Sequence, residues 1–265
     1  MSPTITGARG PRHSPLPSAP ALPFGMESSA GSVIDGDDAH TALMRELNFF
    51  PTPPWAARAG AELIWALDPK ASTVWEPACG AGHMAEPLHQ EGFAVWASDI
   101  HPHGYGDWTG DFLRSDRPRP PWAIDWIVTN PPFAKAEAFV QRGLEIATRG
   151  VAVLCRLAFT ESVGRYPLMR RKAVTAPFAE RVPIQLGSWD PDLSSATAYA
   201  WFVWLQPEAL ADSPFRTAIE AAWAMDASLE RIIPPGTCSR LTLADDRVKF
   251  AGEAPSPQLD LLGAA

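Results

Sequence analysis

The sequence predicts an α/β fold, an open and mostly parallel sheet with helices on both faces. Three observations predict it. Short apolar runs alternate with helical stretches along most of the chain. Three of those runs, Thr73-Val74-Trp75, Ala94-Val95-Trp96-Ala97 and Trp126-Ile127-Val128, lead into a polar residue, namely Glu76, Asp99 and Asn130. A glycine-bearing turn follows the first run and precedes a helical segment, Met84 to Glu91. Open α/β sheets bind ligands beyond the carboxyl ends of their strands, so those polar residues become candidate site residues.

The bulk numbers bound the reading. A chain of 265 residues holds one full α/β domain with an accessory or disordered segment, not two large domains. Hydrophobic residues make up 46% and charged residues 20%, as in a globular enzyme, and no apolar run approaches the ~20 residues that cross a bilayer. No membrane partner is expected. Three separated cysteines, Cys79, Cys155 and Cys238, suggest neither a disulfide framework nor a metal site, and a cytoplasmic location is the default. His101-Pro102-His103 lacks a third ligand at useful spacing, so no metal is expected. A net charge of -8 argues against a surface that coats nucleic acid throughout, while leaving room for a local basic patch.

Taken in order, residues 1–40 are rich in Pro, Ser, Gly and Ala without periodicity and read as a disordered leader. Order is expected from about Leu43, with Phe49-Phe50-Pro51-Thr52-Pro53-Pro54-Trp55 a stiff turn before a helix over Ala56 to Leu67. The helix Glu137 to Thr148 is amphipathic, with Phe139, Val140, Leu144 and Ile146 able to face the sheet. Val151 to Leu154, Val182 to Leu186 and Tyr199 to Leu205 read as further strands. The domain is placed at 41–206, with small insertions around 159–181 and 187–197. The accessory segment 207–265 is expected to hold a helix over Phe215 to Ile233, a short hairpin over Arg240 to Phe250 and a loose tail.

Three motifs carry candidate chemistry. In Glu76-Pro77-Ala78-Cys79-Gly80-Ala81-Gly82, Gly80 and Gly82 let backbone approach a ligand closely, with helix-start N–H groups nearby; Cys79 suits a small packing residue. The spacing matches neither a dinucleotide fingerprint nor a P-loop. Asp99 follows Glu76 by 23 residues, placed to accept hydrogen bonds from ribose hydroxyls, and Asp111-Phe112 supplies an acid and a ring for a purine. Asn130-Pro131-Pro132-Phe133 is the most specific. Its prolines fix φ and donate no N–H, so an amide oxygen and a carbonyl can accept both hydrogens of an attacking amine while Phe133 stacks on a planar substrate.

These residues resemble the class I S-adenosylmethionine-dependent methyltransferases, specifically the amino-methyltransferases with the motif (Asp/Asn/Ser)-Pro-Pro-(Tyr/Phe/Trp). The likeness spans about Phe49 to Leu205. It implies a Rossmann-like, seven-stranded, mostly parallel sheet with an antiparallel final strand. It further implies that Thr52 and Pro53 meet the methionine part of S-adenosylmethionine, that Glu76 to Gly82 wraps it, that Asp99 binds its ribose and that Asp111 and Phe112 lie by its adenine. The order of Thr52-Pro53-Pro54, glycine turn and Asn130 to Phe133 is that of adenine-N6 DNA methyltransferases of the γ type. Phage and prophage methylases are especially similar, also in Arg156-Leu157-Ala158-Phe159-Thr160-Glu161-Ser162. The implied partner is double-stranded DNA with a flipped adenine. The tetrapeptide also serves RNA guanine-N2 and protein-glutamine methyltransferases, and a noncatalytic nucleic-acid-binding protein on the same fold is a further alternative.

For target recognition the candidates are Arg165, Arg170, Arg171 and Lys172, joined by Arg181 and opposed by Glu180, as phosphate contacts or as a solvated helix face. Trp189 and Tyr166 are candidates to stack bases, with Trp189 equally suited to packing beneath a loop. The sequence leaves the oligomeric state open.

Overall fold

The computed structural model describes residues 42, 44, 45, 47–114, 120–193 and 195–253. The chain parts into two units, Met1–Asp35 and Gly36–Ala265, and everything below belongs to the second. The expected leader, the start of order at Leu43 and the tail from Ala254 lie outside the described residues.

Helix α1 (Pro54–Leu67) starts where Pro54 occupies the first turn, its missing N–H costing nothing there, while the Pro53 carbonyl accepts from Ala56 and Ala57. Strand β1 (Thr73–Glu76) follows, then α2 (Ala85–Gln90), β2 (Ala94–Asp99), β3 (Trp108–Thr109) and β4 (Trp126–Thr129). Next come α3 (Ala136–Ile146), β5 (Gly150–Arg156), α4 (Tyr166–Met169), β6 (Val174–Pro177), β7 (Ser188–Trp189) and β8 (Tyr199–Leu205). The chain continues through α5 (Pro207–Asp212), α6 (Arg216–Ala224), β9 (Leu229–Glu230), α7 (Thr237–Leu241), α8 (Asp246–Phe250) and β10 (Gly252–Glu253).

Among the described residues, eight strands form the main sheet in the order β3-β2-β1-β4-β5-β8-β6-β9, and β7 pairs with β10 in a separate ribbon. All neighbours in the main sheet are parallel except β8, which runs antiparallel to both β5 and β6. This is the expected mostly parallel sheet with a reversed strand. The seven-strand expectation is corrected by β9, an edge strand beyond β6.

The period-two pattern of the strands divides the core into two layers. Val74, Trp126, Val128, Ala152, Leu154, Trp201 and Val203 pack with α1 on one face. Trp75, Ile127, Val151, Val153, Phe202 and Trp204 pack with Phe139 and Val140 of α3 on the other. Leu144 and Ile146 are half-buried and pack against that second layer, and Gly143 lies close against Val151 and Ile127.

Several boundaries move. Val182 to Leu186 is irregular, since Pro183 cannot donate to a ladder, and the strand beside β8 is β6, inside the expected insertion 159–181. The helix expected over Phe215 to Ile233 ends at Ala224, where Asp226 turns at φ 55°, and the chain then adds β9. Arg240 to Phe250 holds α7 and α8 rather than a hairpin, with the Leu243 N–H donating to Asp246 Oδ2 at the start of α8. The segment after Gln206 is therefore part of the same body. Ile219 and Ile233 lie in the α1 layer, and Arg58 of α1 pairs with Asp246 at 2.7 Å.

Candidate ligand cleft at the carboxyl edge

The strand order reverses between β1 and β4, and the cleft opens there, beyond their carboxyl ends. Thr52, Glu76, Cys79, Gly80, Asp99, Asp111, Phe112, Asn130, Pro131, Pro132 and Phe133 all line it. Pro53 does not; its carbonyl starts α1 and thereby sets Thr52 in place. Gly82 is likewise behind the lining, in the turn that leads to α2.

The turn after β1 needs its glycines. Gly80 and Gly82 have φ of 51° and 87°, and a Cβ on either would come within 2.7 Å of the rings of Phe49 and Tyr105 respectively. The Gly80 N–H donates to Asp99 Oδ2 at 2.8 Å, so the end of β2 holds the turn at the end of β1. Asp99 Oδ1 accepts from the His101 N–H at 3.0 Å, and the Asp99 carbonyl accepts from Gly110. Each carboxylate oxygen keeps a lone pair for a further donor.

Glu76 is 1% exposed, and its Oε2 is buried with no hydrogen-bond partner among the described residues. Oε1 accepts from the Ala78 N–H at 3.2 Å. Burial pushes its pKa from 4.5 up to about 8; the nearby Thr129 hydroxyl and the Ala78 N–H pull it down, and the Asp99 charge adds to the rise. The Cys79 thiol is also pushed up by burial, with Asp99 and Glu76 adding to the effect, which makes it an inert packing group.

At the end of β4 the Asn130 amide is held from an unexpected direction. Its Nδ2 donates to the Phe50 carbonyl at 3.0 Å and to the Thr52 hydroxyl at 3.1 Å. Both amide hydrogens are thereby used, and Oδ1 is left as the acceptor. The Pro132 carbonyl accepts from Lys135 N–H, closing the short 3-10 turn Phe133–Lys135. The Phe133 ring lies 5.1 Å from that of Phe50.

Sequence reasoning did not single out Ile100 and Lys135 as lining groups, and it named Phe49, His103 and Phe139 only as part of a turn, a weak metal candidate and a helix face; all five line the cleft, together with His83. His103 packs its ring 5.0 Å from Phe49, and its Nε2 lies 3.8 Å from Asp99 Oδ1. Burial lowers its pKa, His101 adds to the fall and Asp99 opposes both. His83 bonds through Nε2 to the Phe250 carbonyl at 3.0 Å, joining the cleft to α8. Only their proximity in sequence to the glycine turn and Asp99 was a signal.

The recognition candidates scatter. Trp189 is 2% exposed, so its ring is not free to stack on a base; packing is the reading that stands. Tyr166 is exposed. Arg165 lies over the Phe159 ring and donates to the Phe159 carbonyl, close to the carboxyl edge. Arg170, Arg171 and Lys172 instead precede β6, which is parallel to β5, and so fall at the amino edge, opposite the cleft. Arg170 pairs there with Asp226, and Lys172 is buried with a pKa lowered by that burial. Arg181 donates to the Ala196 carbonyl. The expected single basic patch is thus divided between two edges, because residues 157–173 carry the chain from one to the other. Among the described residues no three metal-type ligands converge, and no helix is long and apolar enough to cross a membrane.

Fold and cleft together define an α/β protein with a candidate ligand cleft across the ends of β1, β2 and β4. No protein-family model and no curated protein matches the chain. Among solved structures, it is similar to the methyltransferase subunit of a type I restriction-modification system from Streptococcus thermophilus, with 11% identity, 68% of this chain and 51% of that one covered, and a TM-score of 0.47. The 23S rRNA methyltransferase ErmE shares 15% identity over 64% of this chain and 77% of its own, with a TM-score of 0.40. Magnesium protoporphyrin IX methyltransferase from Synechocystis PCC 6803, solved with SAM bound, shares 13% identity over 68% of this chain and 86% of its own, with a TM-score of 0.38. The chain spans about half the length of the first of these.

Proposed function

We propose that the chain is an S-adenosylmethionine-dependent methyltransferase acting on an exocyclic amine, N6 of adenine in DNA. The tethered amide of Asn130 carries this reading, since it presents Oδ1 as an oriented acceptor in the same cleft as Glu76, the glycine turn and Asp99. The donor set suits that cofactor. The buried Glu76 carboxyl, whose Oε2 has no hydrogen-bond partner among the described residues, can take a cation, Asp99 can accept ribose hydroxyls, and Asp111 with Phe112 supplies the side of an adenine pocket.

When bound, the cofactor supplies a methyl group on a positively charged sulfur. Asn130 Oδ1 and the Pro131 carbonyl accept hydrogen bonds from the two N–H groups of the amine, favouring the pyramidal nitrogen whose lone pair attacks. Phe133 stacks on the base and holds it in plane with those acceptors. No general base is needed before transfer, because the proton leaves once the nitrogen has become cationic. Thr52 and the Phe50 carbonyl keep Asn130 from rotating its donor side toward the amine.

The adenine assignment rests on the residues Phe49 to Trp55 preceding the glycine turn. Incubation with radiolabelled S-adenosylmethionine and unmethylated DNA is expected to label adenine N6. Label confined to ribosomal RNA or to protein would replace that substrate, and calorimetry without cofactor binding would overturn the enzyme reading.

A further inference from the structure

Arg156 ends β5 beside the catalytic tetrapeptide, and its guanidinium carbon lies 4.2 Å from the centroid of the Phe133 ring. The side chain is exposed, and it lies beside that of Tyr199, the residue paired with it on β8. A guanidinium lying on an aromatic face keeps its N–H donors directed outward around its edge, where they suit a bidentate oxyanion. Lys135, two residues after Phe133, lines the cleft, is exposed and has no carboxylate within ion-pair distance among the described residues. Two cations without carboxylate partners thus flank the ring proposed to hold the substrate. Elsewhere on this chain of net charge -8, Arg149 is paired with Asp68 and Asp212, Arg170 with Asp226 and Arg240 with Glu62.

We propose that Arg156 and Lys135 form a phosphodiester subsite at the mouth of the cleft, gripping the backbone beside the nucleotide whose base stacks on Phe133. This rests on the methyltransferase reading and deepens it, by making the substrate a nucleic acid rather than a protein amide. A glutamine side chain brings no fixed anion within reach of its amide, whereas every nucleotide brings one. The subsite also places the phosphate grip at the catalytic motif itself, not on Arg170 to Lys172 at the far edge.

The test measures binding of random-sequence duplex DNA from about 50 to 200 mM salt, with methyl transfer to unmethylated DNA alongside. Arg156→Ala is expected to lower the magnitude of the slope of log Kd against log salt by about 0.9, one phosphate contact, and to raise KM for DNA about tenfold with cofactor affinity unchanged. Arg156→Lys should keep the slope, because it keeps the charge, and Arg170→Ala serves as a control that leaves the slope and KM as they are. If wild-type protein methylates DNA while Arg156→Ala retains the full slope and loses only kcat, Arg156 merely supports Phe133 and the subsite is overturned alone. If wild-type protein transfers the label to protein and not to nucleic acid, subsite and substrate reading fall together.

Discussion

At Asn130, two tethers decide which end of the amide meets a substrate. Asn130→Ala is expected to retain cofactor binding while methyl transfer falls by ~10²-fold or more, as when an oriented transition-state group is lost. Single-turnover transfer beside calorimetric cofactor affinity checks this, and unchanged transfer would sink the mechanism. Glu76 makes a second prediction, with a definite sign. Its pKa in the folded protein, about 8, lies above the ordinary 4.5, so its contribution to stability is full below about pH 4.5 and lost as pH rises toward 8. A cationic ligand instead favours the ionised carboxyl. Cofactor affinity should therefore rise between pH 6 and 8 with release of a proton, measurable by calorimetry in buffers of different ionisation enthalpy. Glu76→Gln should abolish that proton release.

Among the elements, α1 shows how a site depends on packing well away from it. Gly60 lies mid-helix, where glycine ordinarily costs about 0.5–1 kcal/mol against alanine. Here a Cβ would overlap the Trp201 ring of β8, whose indole N–H donates to the Ala56 carbonyl at 3.1 Å. Gly60→Ala is thus expected to destabilise, by about 1–3 kcal/mol, against the propensity scale. A fall in the urea midpoint with unchanged slope checks it; a stabilised variant would show that helix propensity outweighs the clash. Strand β5 makes the complementary point. Its pairing with β8 runs along its full length, from Gly150↔Leu205 to Arg156↔Tyr199, and this brings Arg156 to the carboxyl edge beside Phe133.

On the scale of the whole molecule, residues far apart in sequence close the body around the cleft. Arg58 is 1% exposed and forms two hydrogen bonds of 2.7 Å with Asp246, one to Gln90 and one to the Leu241 carbonyl. It joins α1, α2 and the C-terminal helices in one knot, and α8 then reaches the cleft through the Phe250 carbonyl and His83. Asp246→Ala leaves a buried guanidinium short of its main counter-charge, so a loss of about 3 kcal/mol is expected in equilibrium denaturation. A loss below about 1 kcal/mol would mean that Glu91, 3.8 Å from Arg58 Nε, suffices.

By itself the sequence determined the local part of this protein. Period-two apolar runs, their polar ends, the glycine turn and Asn130 to Phe133 are written in consecutive residues, and the sheet brings those ends into one cleft. Tertiary structure decided what depends on distant neighbours. It placed the strand beside β8 at Val174–Pro177 instead of Val182 to Leu186, buried Trp189, and sent Arg170 to Lys172 to the opposite edge from the cleft. It also supplied the Phe50 and Thr52 tethers on Asn130, the proton affinity of Glu76 and the seat of Arg156 on Phe133. The reason is physical. Burial, and the identity of the groups that meet an amide, a carboxyl or a ring, are set by which strands and helices lie side by side, and no local pattern encodes that.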